Sequence, residues 1–240
     1  MAITKVTRCL RKLLPISYCG AVIVAAGNAS RMGGIDKVVA PLGGEPMIVK
    51  TVRAFQNAQV IREIVIVTRP DLIGQVADLC AGFDKVCAVV AGGKDRAESV
   101  TNGLRSLSRK VKLAAIHDGA RPLVTETVID RTVRAAHIYS AAAPGIPVKD
   151  TIKVVNGGVV TMTPDRSKLF AIQTPQVFDK PLLQTALKKA KKMKAPITDD
   201  CSAVELLGMS VKIVEGDESN LKVTTPMDLK VAEMLLEETV

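Results

Sequence analysis

The residues of this chain best suited to chemistry lie at 21–37, AVIVAAGNASRMGGIDK, where an apolar run breaks into a glycine-rich loop carrying two spaced cations, Arg31 and Lys37. Gly27, Gly33 and Gly34 let a backbone turn tightly and aim bare amide N–H groups inward, a lining suited to phosphate oxygens. Two full positive charges added to such a cradle make a polyanion the natural guest. The spacing matches neither G-x-x-x-x-G-K-[ST] nor G-x-G-x-x-G, so it is neither a Walker loop nor a dinucleotide fingerprint. Taken alone, it also reads as an ordinary turn after a strand.

The elements that must position this loop follow from periodicity. Residues 21–26 have no polar side chain, which predicts a strand buried on both faces of a parallel sheet. Pro46 predicts a helix over 46–57, with Ile48, Val52 and Phe55 near one face. Strands are predicted at 64–67, 86–90 and 113–116, with helices at 71–80, 95–107 and 126–138, and a proline-interrupted strand at 141–148. This alternation predicts an α/β fold, a doubly wound, mostly parallel, Rossmann-like sheet with right-handed crossovers. Ligands in such sheets bind beyond the carboxyl ends of strands. If the fourth strand lies beside the first, Asp118 faces the 27–37 loop.

The pattern then changes. Residues 151–162 read as a β-hairpin around an Asn156-Gly157 turn, a protruding arm at about 149–165. Helices follow at 179–194 and 199–207, then a strand at 211–214 and a closing helix at 226–238 capped by Thr225. The lysines of 188–194 read as the solvated face of their helix. No repeat or linker interrupts 17–240, which is expected to form one domain.

Composition narrows the partners. The chain has 240 residues and a formal charge of +9, which would attract nucleic acid, an acidic membrane surface or a phosphorylated small molecule. Aromatics are only 2% and Trp is absent, leaving no stacking platform for single strands, and no DNA-binding motif is visible, so no nucleic-acid partner is expected. Cys9, Cys19, Cys80, Cys87 and Cys201 form no C-x-x-C pair, which argues against a disulfide framework or zinc site and for a reducing, cytoplasmic setting. Lys5, Arg8, Arg11 and Lys12 ahead of an apolar stretch imitate a secretory leader, but cleavage there would remove the first strand, so residues 1–16 are read as a basic N-terminal extension. No apolar run is long enough to span a membrane. His117 at a strand end invites an acid–base role, but that is the lesser reading, while His137 lies within a helix and reads as structural.

A-A-G-x-x-S-R-M-G with a lysine a few residues on resembles the signature loop of nucleotidyltransferases that join a nucleoside triphosphate to a sugar phosphate. G-G-K-D-R-A-E-S-V (92–100), H-D-G-A-R-P (117–122), V-K-D-T (148–151), Q-T-P-Q (173–176), T-D-D (198–200) and N-L-K-V-T (220–224) follow in order. Together they resemble the 2-C-methyl-D-erythritol 4-phosphate cytidylyltransferase family from about residue 17 to the end.

The resemblance implies that CMP passes from CTP to a sugar-alcohol phosphate with release of pyrophosphate. The attacking phosphate oxygen is already anionic near pH 7, so alignment and positive charge matter more than a general base. By the same resemblance, Arg31 and Lys37 stabilise the transferring phosphate, and Arg166 and Lys222 hold the acceptor. Ala25, Ala26, Gly27, Gly93 and Ser99 belong to the nucleotide-binding segments, and Asp118, Arg121, Thr151, Thr174 and Thr198 to the acceptor-binding ones. Mg2+ is expected to bridge the triphosphate without a dedicated protein cage. The arm is expected to embrace a second subunit of a homodimer, which would let Arg166 act in the partner's site. Ala29 and Lys94 depart from the family pattern, where glycine and an acidic residue are usual. A ribitol 5-phosphate cytidylyltransferase, or a non-catalytic nucleotide- or nucleic-acid-binding protein, remains open at this level.

Overall fold

A computed structural model of the chain describes residues 5–27 and 38–237. The first helix, α1 (Lys5–Lys12), is followed by β1 (Cys19–Ala25), the apolar run ahead of the glycine loop. Pro41–Leu42 (β2) and Glu45–Pro46 (β3) form a small ribbon turned by Gly43 and Gly44. Next come α2 (Met47–Asn57), β4 (Ile61–Thr68), α3 (Ile73–Cys80), β5 (Val86–Ala91), α4 (Arg96–Ser106), β6 (Leu113–Asp118), α5 (Glu126–Tyr139) and β7 (Ala141–Pro147). Pro46 precedes α2 as its cap residue and does not occupy its first turn.

Strands β5, β4, β1 and β6 pair in parallel, in that spatial order. Side chains alternate along them. Ala21, Ile23, Ile64, Ile66 and Ala115 face α2, α3 and α5, whereas Val22, Val65, Val67, Ala114 and Ile116 face α4 and the later helices at 180–193 and 200–205. Both faces are covered, which is why these strands read as continuous apolar runs.

The second half departs from strict alternation. Val154–Asn156 (β8) and Val159–Met162 (β9) make a separate two-stranded hairpin. Its turn is centred on Gly157 and Gly158, at φ 57° and 81°, one residue beyond the expected Asn-Gly turn. Two consecutive left-handed residues suit glycine, and Asn156 instead pairs with Val159 in the ladder.

Phe170–Ile172 (β10) and Gln176–Asp179 (β11) are antiparallel additions, with β11 inserted between β6 and β7. Helix α6 (Lys180–Met193) and α7 (Asp200–Glu205) cover the α4 side. Lys212–Glu215 (β12) pairs in parallel with β7, and α8 (Pro226–Glu237) closes the chain. Thr225 caps α8, its Oγ1 accepting the Asp228 N–H at 3.2 Å while Asp228 Oδ2 accepts the Thr225 N–H at 2.8 Å.

Helix α1, within the basic N-terminal segment, packs on α5. Arg11 donates to the His137 carbonyl and to Ser140 Oγ and pairs with Asp179 at 3.2 Å. His137 Nε2 meets the Arg11 carbonyl at 2.9 Å and Nδ1 meets Ser17 Oγ at 3.1 Å, a structural role.

Candidate active site

The ends of β1 and β6 are neighbours, Val24 standing opposite Asp118 in the parallel register. The residues just beyond the first strand and those ending the fourth therefore share one rim of the sheet, meeting the condition set for Asp118 above. Residues 28–37, with Ala29, Arg31, Gly33, Gly34 and Lys37, lie outside the described residues. The described part of the rim is a cleft of about 400 Å³ lined by Ala25, Ala26 and Gly27, by Gly93 to Arg96 and Ser99, by Asp118 to Ala120, and by Lys222.

Strand parity decides which way the last two residues of β6 point. Asp118 follows Ala114 and Ile116 toward α4 and α7; His117 follows Leu113 and Ala115 toward α2 and α5. Asp118 is thus brought to Arg96, the first residue of α4, whose Nη1 lies 2.6 Å from Oδ1. Arg96 Nη2 is 3.0 Å from Oδ2 of Asp200, the first residue of α7. Lys222 Nζ takes the other oxygen of Asp118 at 2.7 Å, and Arg121 Nε lies at 4.0 Å.

Arg96, Arg121 and Lys222 set against Asp118 and Asp200 leave a surplus positive charge at the rim. Burial alone would raise the Asp118 carboxyl, but Arg96 and Lys222 outweigh it and hold the group well below the usual carboxylate range. Asp200 is pushed up by burial, with Arg96 opposing. Burial would lower the Arg96 guanidinium, and the two carboxylates raise it further still.

His117 is fully buried, its ring 4.8 Å from that of Phe55, and burial pushes its imidazole down to about 3, so it is neutral at pH 7. Its Nε2 meets the Arg121 carbonyl at 3.2 Å, an oxygen that can only accept, so Nε2 carries the proton. Nδ1 then accepts from the Thr174 hydroxyl at 3.0 Å, and Thr174 Oγ1 accepts the Asp118 N–H at 3.1 Å. His117 therefore fixes the Asp118–Arg121 turn, and the buried Thr174 hydroxyl is occupied in the same relay.

Lys222 owes its position to its neighbours. The Val223 N–H donates to the Ala120 carbonyl at 2.8 Å, Arg121 Nη1 donates to the Asn220 carbonyl at 2.6 Å, and Asn220 Nδ2 donates to the Thr174 carbonyl at 2.9 Å. Three segments distant in sequence, 117–122, 173–176 and 220–224, are laced together here. On the opposite wall, Ser99 Oγ accepts the Gly93 N–H at 3.0 Å and donates to the Asp95 carbonyl at 2.9 Å, while the Asp95 carboxylate caps α4 through the Glu98 N–H at 2.8 Å. A Cβ on Gly92 would stand 2.4 Å from that of Ala26, so the close approach of this wall to β1 requires glycine.

The remaining residues singled out from sequence do not line this cleft. Arg166 is exposed at the base of the hairpin and donates to the Lys149 carbonyl at 2.7 Å. Thr151 is exposed ahead of β8. Thr198 is exposed just before α7, its N–H donating to Ser202 Oγ at 3.2 Å.

This geometry can be set beside known proteins. A sequence model of the 2-C-methyl-D-erythritol 4-phosphate cytidylyltransferases matches residues 19–238. The chain belongs to that family. It is 44% identical over 221 residues to the 2-C-methyl-D-erythritol 4-phosphate cytidylyltransferase of Caldanaerobacter subterraneus subsp. tengcongensis, covering 90% of this chain and 97% of that protein. Among solved structures it is similar to 4-diphosphocytidyl-2C-methyl-D-erythritol synthase from Anaerococcus prevotii, with TM-score 0.84 and 31% identity over 92% of this chain and 96% of that one. The corresponding values for the Thermus thermophilus cytidylyltransferase are 0.75 and 30%, over 92% and 99%.

Two members of the ion-pair network at this cytidylyltransferase cleft had no role in the sequence reading, Arg96 and Asp200. A signal was available. A cation at the first position of a helix opposes the helix dipole, so Arg96 needed a tertiary partner.

Proposed function

We propose that this chain transfers CMP from CTP to 2-C-methyl-D-erythritol 4-phosphate, giving 4-diphosphocytidyl-2-C-methyl-D-erythritol and pyrophosphate for isoprenoid precursor synthesis. Beyond family membership, the observation that carries this reading is the Arg96–Asp118–Lys222 constellation beside the backbone of Ala25–Gly27, a net-positive rim suited to bringing two anions together. A phosphate oxygen of the acceptor forms a bond to the α-phosphorus as the bond from that phosphorus to the pyrophosphate oxygen breaks. No proton has to be removed from the nucleophile, which fits a cleft whose nearest histidine is buried and neutral.

In this reading the nucleotide lies along Ala25, Ala26, Gly27, Gly93 and Ser99, with Arg31 and Lys37 neutralising its transferring phosphate. The acceptor phosphate is held by Lys222 and Arg166, and the acceptor's hydroxyls meet the Asp118–Arg121 turn, Thr151 and Thr198; Thr174, expected among these contacts, instead braces that turn, its buried hydroxyl being taken by His117 and the Asp118 N–H. Asp118 is the buried carboxylate lining the cleft, and its oxygens are shared with Arg96 and Lys222. A magnesium ion would be carried by the triphosphate itself, since both oxygens of Asp118 are already engaged by Arg96 and Lys222. When bound, it offsets triphosphate charge.

The arm supports a homodimer. Val154, Val155, Val159, Val160 and Met162 are all exposed in the single chain, and an isolated hairpin is marginal unless it packs on something. Five unpaired cysteines fit a reducing, cytoplasmic setting. No helix among the described residues is long and apolar enough to cross a membrane.

Pyrophosphate release is the deciding assay, with each nucleoside triphosphate paired with methylerythritol phosphate and with ribitol 5-phosphate. Turnover is expected with CTP and methylerythritol phosphate. A clear preference for ribitol phosphate would replace the acceptor, and no turnover with any pair would remove the enzymatic reading.

A further inference from the structure

Asp200 is 1% exposed, and a carboxylate so deep is costly unless it is paired. It is not needed to hold α7 in place. The Asp200 and Cys201 N–H groups donate to Gln176 Oε1 at 3.0 and 3.1 Å, and Asp199 and Ser202 close a capping box around the same helix start. A buried ion pair is also a poor way to gain stability, since apolar side chains of similar size do as well or better. The carboxylate of Asp200 must be explained by what it does to Arg96.

A guanidinium facing one carboxylate tends to engage both oxygens as a two-pronged fork. Arg96 does not. Its Nη1 meets Oδ1 of Asp118 at 2.6 Å, its Nη2 is turned to Asp200 at 3.0 Å, and Oδ2 of Asp118 is left to Lys222 at 2.7 Å.

We propose that Asp200 is a positioning residue for the transfer reaction: by occupying one prong of Arg96 it prevents a two-pronged Arg96–Asp118 pair and so reserves Oδ2 of Asp118 as the seat of Lys222. The inference rests on the reading of Lys222 as an acceptor-phosphate cation. Asp200 touches no substrate. It acts through two intervening side chains, and its effect falls on the acceptor and not on the nucleotide.

Asp200→Asn tests this, because the amide keeps the shape but gives Arg96 a weaker, neutral partner than Asp118. Misplacing a supported group typically costs about 10- to 100-fold. KM for the acceptor should therefore rise roughly tenfold or more, with KM for CTP changed by less than about threefold. Asp200→Leu frees the same prong and serves if the amide variant fails to fold.

Independently of turnover, competitive acylation read by mass spectrometry should label Lys222 several-fold faster in the variant, since a side chain released from the 2.7 Å contact with Asp118 is more open to the reagent. Equal rises in both KM values, or unchanged kinetics, in an active parent background would overturn the role of Asp200 while leaving the cytidylyl transfer intact. A parent that turns over no substrate pair would instead sink the cytidylyltransferase reading, and Lys222 labelling unchanged by the substitution would then sink the role of Asp200 separately.

Discussion

Lys222 stands with its Nζ 2.7 Å from Oδ2 of Asp118, although the two residues come from opposite halves of the chain. The contact joins the last loop before α8 to the end of β6, and it leaves Lys222 partly open to the cleft, with 44% of its side chain exposed. The same pairing makes the site's electrostatics separable by mutation.

Lys222→Ala should leave the fold intact, because Asp118 keeps Arg96 as a partner. Loss of one preorganised charge at a transition state costs about 100- to 1,000-fold in rate. A kcat/KM for the acceptor reduced on that scale, with an unchanged melting curve, is the expected result in a pyrophosphate-release assay.

Arg96→Ala is a different kind of change. It strands the buried carboxylate of Asp200 and leaves that of Asp118 to Lys222. Breaking a buried pair from one side costs about 3–5 kcal/mol, which for a chain of this length lowers the melting temperature by roughly 6–20 °C. Calorimetry at neutral pH checks this; a melting point equal to the parent's would mean that the network does not brace the fold.

His117 links stability to pH. Its value is about 3 in the fold against 6.5 for the free side chain, so between these the unfolded chain binds a proton that the native state refuses. The stabilisation is present above about 6.5 and is lost as pH falls toward 3. Denaturant titrations should show His117→Gln less stable than the parent at pH 7 but with a shallower decline toward pH 4.5. Parallel declines would remove His117 as the cause.

The fold was legible where one strand or helix carries its own signal. Residues 21–26 announced a buried strand and the alternation up to 148 announced the crossovers, but the strand order that sets Asp118 beside Val24 is not carried by periodicity. Strands β10 and β11 were not legible, because segments of three and four residues show no periodicity and their pairing depends on partners far away. Helix α1 escaped for a similar reason: its attachment runs through Arg11, Ser140 and Asp179, which meet only in the folded chain. Asp200 and Arg96 sat inside family motifs without a role, since sequence spacing does not report a bond between residues so far apart.

The hairpin gives a further test. Val155 and Val159 are 54% and 68% exposed, so Val155→Lys with Val159→Lys should not disturb the single subunit. If the arm pairs two subunits, analytical ultracentrifugation should show the parent as a dimer and the substituted chain as a monomer. If the arm carries Arg166 to the partner, mixed dimers of Arg166→Ala with Lys37→Ala subunits should regain activity that neither variant has alone.

Strand β11 runs against β6, so its leading residue Gln176 pairs with Ile116 near the carboxyl end of that strand. A parallel strand in the same place would have turned its first residues to the far edge, beyond reach of the cleft. The reversal hands the catalytic edge both an outgoing and an incoming stretch of chain. That is how Thr174 comes to meet Asp118, and Gln176 the start of α7, without another crossover helix.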